Sequence, residues 1–302
     1  MLLEFVPGLG VPLIVLHGIS DTAVLKGVME PMTCFGAGGR AFWSGAALCV
    51  AFSLLTACGN SNKSNSTPNA ASVAGNWQMS LQPSNPNWRP TAQSGFLVEN
   101  GGAIGGSMMF SDIACSGVGT VAGTVDGTDI SFSVTPTGIN IQFIGSLTQS
   151  TVMSGSYTIL SSGCSGVYSA PQTGTFTANL VTPLKGNIQG TFVSHGGVTY
   201  PITGQLSQAA NTGVSVANLS GTMSTSNYCF FTTTNITGAI SGTSVVLNLV
   251  GSDGTAVGQI SGTTSLDGSL VTGTYRLIGF GPGVGAKPPC VNGDNGTVSF
   301  TL

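Results

Sequence analysis

Charge is what this chain has least of. Among 302 residues only 7 are Lys or Arg and 10 are Asp or Glu, leaving a net charge of −3. Without a cationic excess to neutralise phosphates, nucleic acid is excluded as a partner. Catalytic side chains are equally scarce. Beyond residue 58 there is one histidine, His195, and one glutamate, Glu99. No Gly-x-Ser-x-Gly elbow precedes a helical stretch, so a hydrolase triad built on His195 has no motif behind it. His195, within Ser194-His195-Gly196-Gly197, reads as a solvated hairpin residue. A glycosidase pair would need Glu99 to converge with Asp112 or Asp126, and Asp126 is explained as a turn residue beside Gly127. Asp294 stands between Asn292-Gly293 and Asn295-Gly296; one carboxylate is too few for a tight calcium loop, which leaves a turn. There is no Cys-x₂-Cys spacing for zinc. No cofactor and no metal is expected. A sustained 3.6-residue apolar stripe is also missing beyond residue 58, which argues against helices.

What the chain does have is glycine, 46 residues, about twice ordinary usage, together with abundant Ser and Thr. Hydrophobic residues make up 41%, enough to exclude charge-driven disorder.

Arg40 precedes an apolar run of 15 residues, Ala41 to Leu55, which leads into Thr56-Ala57-Cys58. A charged start, a short apolar stretch and small residues before a cleavage point form the layout of an export signal. The run falls short of the ~20 residues of a membrane-spanning helix. Leu55-Thr56-Ala57-Cys58 resembles the lipobox of bacterial lipoproteins. The resemblance implies thioether lipidation of Cys58, cleavage before it and acylation of the new amine. Because Gly59 and Asn60 follow, with no Asp beside the cysteine, it also implies delivery to the outer membrane. One acyl chain anchors only marginally and stable attachment takes two or more, so the membrane would be a lasting partner. On this reading 32–57 is the signal peptide, starting at Met32, and 1–31 is a mis-called start or an unstructured extension. Residues 58–72 are the lipidated cysteine and a Ser/Asn/Thr/Pro tether spanning roughly 20 Å.

The remainder is a duplication with a period near 115 residues. Val73-Ala74-Gly75-Asn76-Trp77 matches Ile188-Gln189-Gly190-Thr191-Phe192, and Ile104–Met108 matches Leu219–Met223. Gly123–Ile130 matches Gly238–Val245, Met153–Tyr157 matches Val271–Tyr275, and Gly174–Leu180 matches Gly296–Leu302. Within each copy apolar residues alternate with Thr, Ser, Asn or Gln, as at Ile139, Ile141 and Phe143, the pattern of half-buried antiparallel strands. Asn100-Gly101, Asp126-Gly127, Asp253-Gly254, Asp267-Gly268 and Asn292-Gly293 mark tight turns between them. Eight strands are expected in the first copy, near 75–81, 95–99, 103–110, 119–125, 129–135, 139–148, 152–160 and 173–181. Such a meander favours closure into a barrel, which removes exposed edges. The fold expectation is therefore all-β: two tandem antiparallel up-and-down barrels over 73–182 and 183–302, with β-sandwiches as the alternative. A membrane-spanning barrel is disfavoured, because Trp 3 and Tyr 5 cannot build aromatic girdles. The opening Gly75-x-Trp77 and the closing Gly-Thr-Φ-Thr-Φ (Φ, apolar) make each copy similar to lipocalin- or avidin-type barrels.

Of seven cysteines, Cys34 and Cys49 leave with the signal and Cys58 takes the lipid. The other four allow three pairings. The duplication selects Cys115–Cys164 and Cys229–Cys290, because each ancestral copy had to be stable alone. Contact residues are expected where the copies differ. These are Trp88 and Arg89 on the insertion from Gln82 to Pro90, and Tyr228, Phe230 and Phe231 in the second copy. Trp and Arg are enriched at binding hot spots.

The functional expectation is a lipid-anchored, non-catalytic envelope protein. Its barrels would bind a small apolar or sugar-like ligand or a surface partner. A structural or adhesive spacer is the alternative, and a hydrolase a distant third. An open, apolar barrel cavity would favour ligand binding; an interior filled by Trp77, Met79, Phe143 and Phe176 would favour the spacer.

Overall fold

The computed structural model describes residues 72–110, 117–162, 170–210, 212–225, 233–252, 254–277 and 294–302. The extension, the signal peptide, Cys58, nearly all of the tether, Cys115, Cys164, Cys229, Cys290, Tyr228, Phe230, Phe231 and Asp112 lie outside them.

Among the described residues, alternating apolar and hydroxyl-bearing residues form sixteen strands. The first copy contributes β1 (Gly75–Pro83), β2 (Thr91–Asn100), β3 (Ala103–Phe110), β4 (Gly117–Asp126), β5 (Asp129–Thr135), β6 (Ile139–Gln149), β7 (Val152–Ser162) and β8 (Gln172–Val181). The second contributes β9 (Lys185–Ser194), β10 (Thr199–Gln208), β11 (Ala217–Thr225), β12 (Thr234–Ser241), β13 (Ser244–Val250), β14 (Ala256–Thr264), β15 (Leu270–Leu277) and β16 (Asn295–Thr301). Each set closes on itself. β1 pairs with both β2 and β8, and β9 with both β10 and β16, giving two closed antiparallel barrels rather than sandwiches. All eight strands expected in the first copy form; β2 begins at Thr91, four residues earlier than its apolar pattern indicated.

Among the described residues, Asp126-Gly127 acts as its chemistry requires. Asp126 pairs with Asp129 across Gly127 and Thr128, and Gly127 takes φ +59°. A positive φ at the first central residue only is the pattern of a type II′ hairpin turn. Other glycines serve closeness rather than turning. Gly145 faces Gly155 across β6 and β7, and Gly262 faces Gly273 across β14 and β15. A Cβ on any of them would run into the opposite backbone. These matched pairs occupy the equivalent strand pair in both barrels.

Register corrects one of the repeat matches. Met108 and Met223 lie opposite Gly95 and Gly204, which in turn lie opposite Trp77 and Ile188. Trp77 therefore corresponds to Ile188, and Phe192 to Leu81. The chain holds Gly-x-Φ twice in succession here, Gly186-Asn187-Ile188 and Gly190-Thr191-Phe192. A slip of four residues keeps the same face inward, so alternation alone does not separate the two.

Both interiors are filled by the protein's own side chains. In barrel 1, Trp77, Met79, Phe143 and Phe176 are buried, with Phe132 stacked on Phe143 at 4.9 Å and Phe176 edge-on to Phe143 at 5.3 Å. The Trp77 indole donates to the Val73 carbonyl at 2.7 Å, satisfying its one polar atom. Barrel 2 packs Ile188, Phe192, Leu247, Ile260, Val298 and Phe300.

The two barrels belong to one compact unit, and contacts between them are specific. The Asn76 side chain points out of barrel 1 and donates to the Gly242 carbonyl at 2.8 Å, while the Gly242 N–H donates back to Asn76 Oδ1 at 2.7 Å. Thr243 N–H donates to Gln78 Oε1 at 3.2 Å, Ser94 and Ser241 hydroxyls meet at 2.9 Å, and the Ser107 hydroxyl donates to the Gly213 carbonyl. Phe96, on the outward face of β2, is buried in the apolar cluster of barrel 2 beside Val181 and Leu184. The β12–β13 turn that docks here, Ser241-Gly242-Thr243-Ser244, needs glycine: Gly242 has φ +54°, and a Cβ would strike Gln78 and Ser94. These crossing contacts come from the outward faces of β1, β2 and β3.

Candidate functional site

Antiparallel meanders put every second connection at the same end of a barrel. In barrel 1 one rim carries loop 84–90 and the connections β3–β4, β5–β6 and β7–β8; in barrel 2 it carries β9–β10, β11–β12, β13–β14 and β15–β16.

Loop 84–90 is folded against the start of β8. Ser84 N–H donates to the Thr173 carbonyl at 2.9 Å, Asn87 N–H to Asn85 Oδ1 at 3.0 Å, and Trp88 N–H to the Asn85 carbonyl at 3.1 Å. Trp88 is half-buried and Arg89 exposed. The two expected contact residues thus share this rim.

Each barrel places a tyrosine and a polar partner at equivalent positions of the rim. In barrel 1 the Gln172 side-chain nitrogen donates to the Tyr157 hydroxyl at 2.8 Å; in barrel 2 the Tyr275 hydroxyl donates to Asp294 Oδ2 at 2.6 Å. Tyr157 matches Tyr275, and Gln172, two residues before Gly174, matches Asp294, two before Gly296. Phe192 packs on the Tyr275 ring at 4.4 Å. Burial first, then the Asp294 hydrogen bond and charge, then Tyr200, push the Tyr275 hydroxyl above its ordinary pKa. This pair holds its proton and clamps β15 to the segment entering β16. Sequence reasoning read Asp294 only as a turn residue. The signal for its partner was the repeated Gly-x-Tyr of Gly155-Ser156-Tyr157 and Gly273-Thr274-Tyr275.

A second feature breaks the symmetry. Gln93, third residue of β2, points into barrel 1 between Met79 and Phe110 and is 1% exposed. Neither Nε2 nor Oε1 has a hydrogen-bond partner, and Gln172 Oε1 also lacks one. A buried polar group left unpaired costs about 1–3 kcal/mol. At the corresponding place in barrel 2 stands Ile202, opposite Gly190.

Of the residues considered for catalysis, His195, Glu99 and Asp126 lie among the described residues. His195 is exposed in the β9–β10 hairpin, where its N–H donates to the Asn295 carbonyl at 2.7 Å. Glu99 is half-buried, its Oε2 accepting from Val73 N–H at 2.9 Å and from the Ser72 hydroxyl at 3.1 Å, so it fastens the entering chain to β2. Asp126 is exposed in its turn.

No family model matches the chain, and no curated protein matches it. Among solved structures it is similar to kievitone hydratase from Nectria haematococca, with a TM-score of 0.23 and 9% identity over 76% of this chain and 90% of that one. At that TM-score the likeness carries no weight for fold or chemistry.

Proposed function

We propose that this is a lipid-anchored, non-catalytic protein of the bacterial envelope, a spacer or adhesive module that works through the outer surfaces of two docked barrels. The observation that carries the reading is the fill of the barrels. Trp77, Met79, Phe143 and Phe176 occupy the interior of barrel 1 as a buried cluster, which favours the spacer over a carrier of an apolar or sugar-sized ligand in an open cavity.

The outside supports the same role. Ser154, Ser156 and Thr158 on β7 lie opposite Thr177, Thr175 and Thr173 on β8, and Thr263, Thr272 and Ser299 form a row across β14, β15 and β16. Neutral hydroxyls thus face solvent over several adjacent strands. In the lipoprotein reading Cys58 supplies the anchor, the tether lifts the barrels from the headgroups, and Trp88 and Arg89, with Tyr228, Phe230 and Phe231, are the residues that would meet an envelope partner.

The test is titration of the chain from residue 59 onward with anilinonaphthalene sulfonate, an apolar fluorescent probe. Weak, non-saturating fluorescence is expected. Saturable binding of one probe per barrel would overturn the filled-barrel reading and restore the ligand carrier.

A further inference from the structure

We propose that barrel 1, and not barrel 2, holds a small neutral guest bearing a hydroxyl or amide group, water or an organic molecule, hydrogen-bonded to the Gln93 amide. The fold does not require an amide at this position, because Ile202 fills it in the companion barrel. Yet Gln93 is buried with both polar atoms unpaired, and Gln172 Oε1, in the same barrel, is a further unpaired acceptor. Its counterpart Asp294 is engaged by Tyr275. Buried polar groups in folded proteins find a partner, protein or otherwise, and an internal molecule with several polar neighbours is the ordinary alternative to a protein partner.

The chemistry of the guest follows from its host. A carboxamide presents two donors and an acceptor, so the guest must both accept and donate. Among the described residues no charged side chain is buried, which leaves nothing to balance an ion. The packed rings of Phe132, Phe143 and Phe176 restrict its size. Position favours entry from the rim. Gln93 is two residues inside the start of β2, opposite Phe110, the last residue of β3, and loop 84–90 with Trp88 leads directly into β2. A guest small enough to sit beside Gln93 leaves the Trp77, Met79, Phe143 and Phe176 cluster in place, so it is compatible with the filled-barrel reading, which the probe titration tests separately.

The experiment uses the full chain purified from expressing cells, wild type and Gln93→Ile. Native mass spectrometry and a high-resolution crystal structure are both recorded. An added mass on the wild type, lost in Gln93→Ile, with connected density at the amide, identifies an organic guest. The bare polypeptide mass with a single density peak within hydrogen-bond reach of Nε2 or Oε1 identifies water. Bare mass and empty density around Gln93 overturn the proposal, and because both readouts are taken on the wild type, a poorly folding variant does not rescue it.

Discussion

Removing Asn76 tests whether the two barrels act as one body. Asn76→Ala deletes one donor and one acceptor, and leaves the Gly242 N–H and carbonyl facing a small cavity in a buried site. Asn76 itself is only 2% exposed, so water does not replace it freely. Each orphaned group costs about 1–3 kcal/mol, or roughly 2–6 kcal/mol for the two. That is large beside the ~5–15 kcal/mol of a typical folded domain. At the middle of the range, about 4 kcal/mol, the melting temperature should fall by roughly 8–16 °C for a chain of this size. The assay is urea and thermal unfolding followed by circular dichroism and calorimetry. Asn248→Ala serves as the control. Its side chain also bonds across strands, accepting from Gln259 at 3.0 Å, but on an exposed face, where a change within ~0.5 kcal/mol is expected. Loss of docking should also split one cooperative transition into two, one per barrel. If Asn76→Ala unfolds like Asn248→Ala, in a single unshifted transition, the hydrogen bonds at Gly242 do not hold the barrels together and the argument fails.

Gly145→Ala and Gly262→Ala should each destabilise the chain strongly, because a Cβ would meet the partner backbone of Ser154 and Gly155 or of Thr272 and Gly273. Gly101→Ala, at an open turn with nothing near the added atom but a φ of +57°, should cost about 1 kcal/mol, measured by the same denaturation. Tyr275 has its acid pKa raised in the folded state, so its contribution is intact below the ordinary tyrosine value near ~10 and is lost as pH rises through the higher folded one; stability should decline from about pH 10 upward, and Tyr275→Phe should flatten that decline. Peptide mapping without reduction should find only Cys115–Cys164 and Cys229–Cys290, each restricting the unfolded chain by about 4 kcal/mol; a bridge between copies would overturn the pairing. Cys58→Ser should release the protein from membranes or leave it unprocessed, and unchanged membrane fractionation of a processed variant would refute the anchor.

The barrels were legible because two short-range signals agree along most of the chain. Period-two alternation assigns the inner face, as at Ile139, Ile141 and Phe143, and glycine-bearing dipeptides such as Asp126-Gly127 end the strands. The repeat then supplied what a single copy lacks, a second instance of each strand in the same order. Glycine carried a meaning that composition hides. Gly145, Gly155, Gly262 and Gly273 sit mid-strand, where a Cβ would meet the neighbouring backbone, and not in turns. The rim pairs were half visible. Gly-x-Tyr was noted as a repeat, but Gln172 and Asp294 are different residues at one position, and identity matching passes over them.

The inter-barrel surface had a signal of a kind that alternation misreads. Phe96 and Leu97 are adjacent and both apolar, so a strand with one wet face would leave one of them in water. Each instead enters a different core, Leu97 that of barrel 1 and Phe96 that of barrel 2. Consecutive large apolar residues are what a strand buried on both faces carries. The same strand stretch holds Ser94, bonded to Ser241, and the neighbouring strand holds Asn76 and Gln78, polar residues whose partners lie more than a hundred residues away in the chain. Reading β2 as two-faced would have pointed to docking here rather than only to Trp88 and Arg89. In a tandem duplication that buries an aromatic between its copies, removing barrel 1 uncovers Leu184 and the side of barrel 2 that Phe96 now covers.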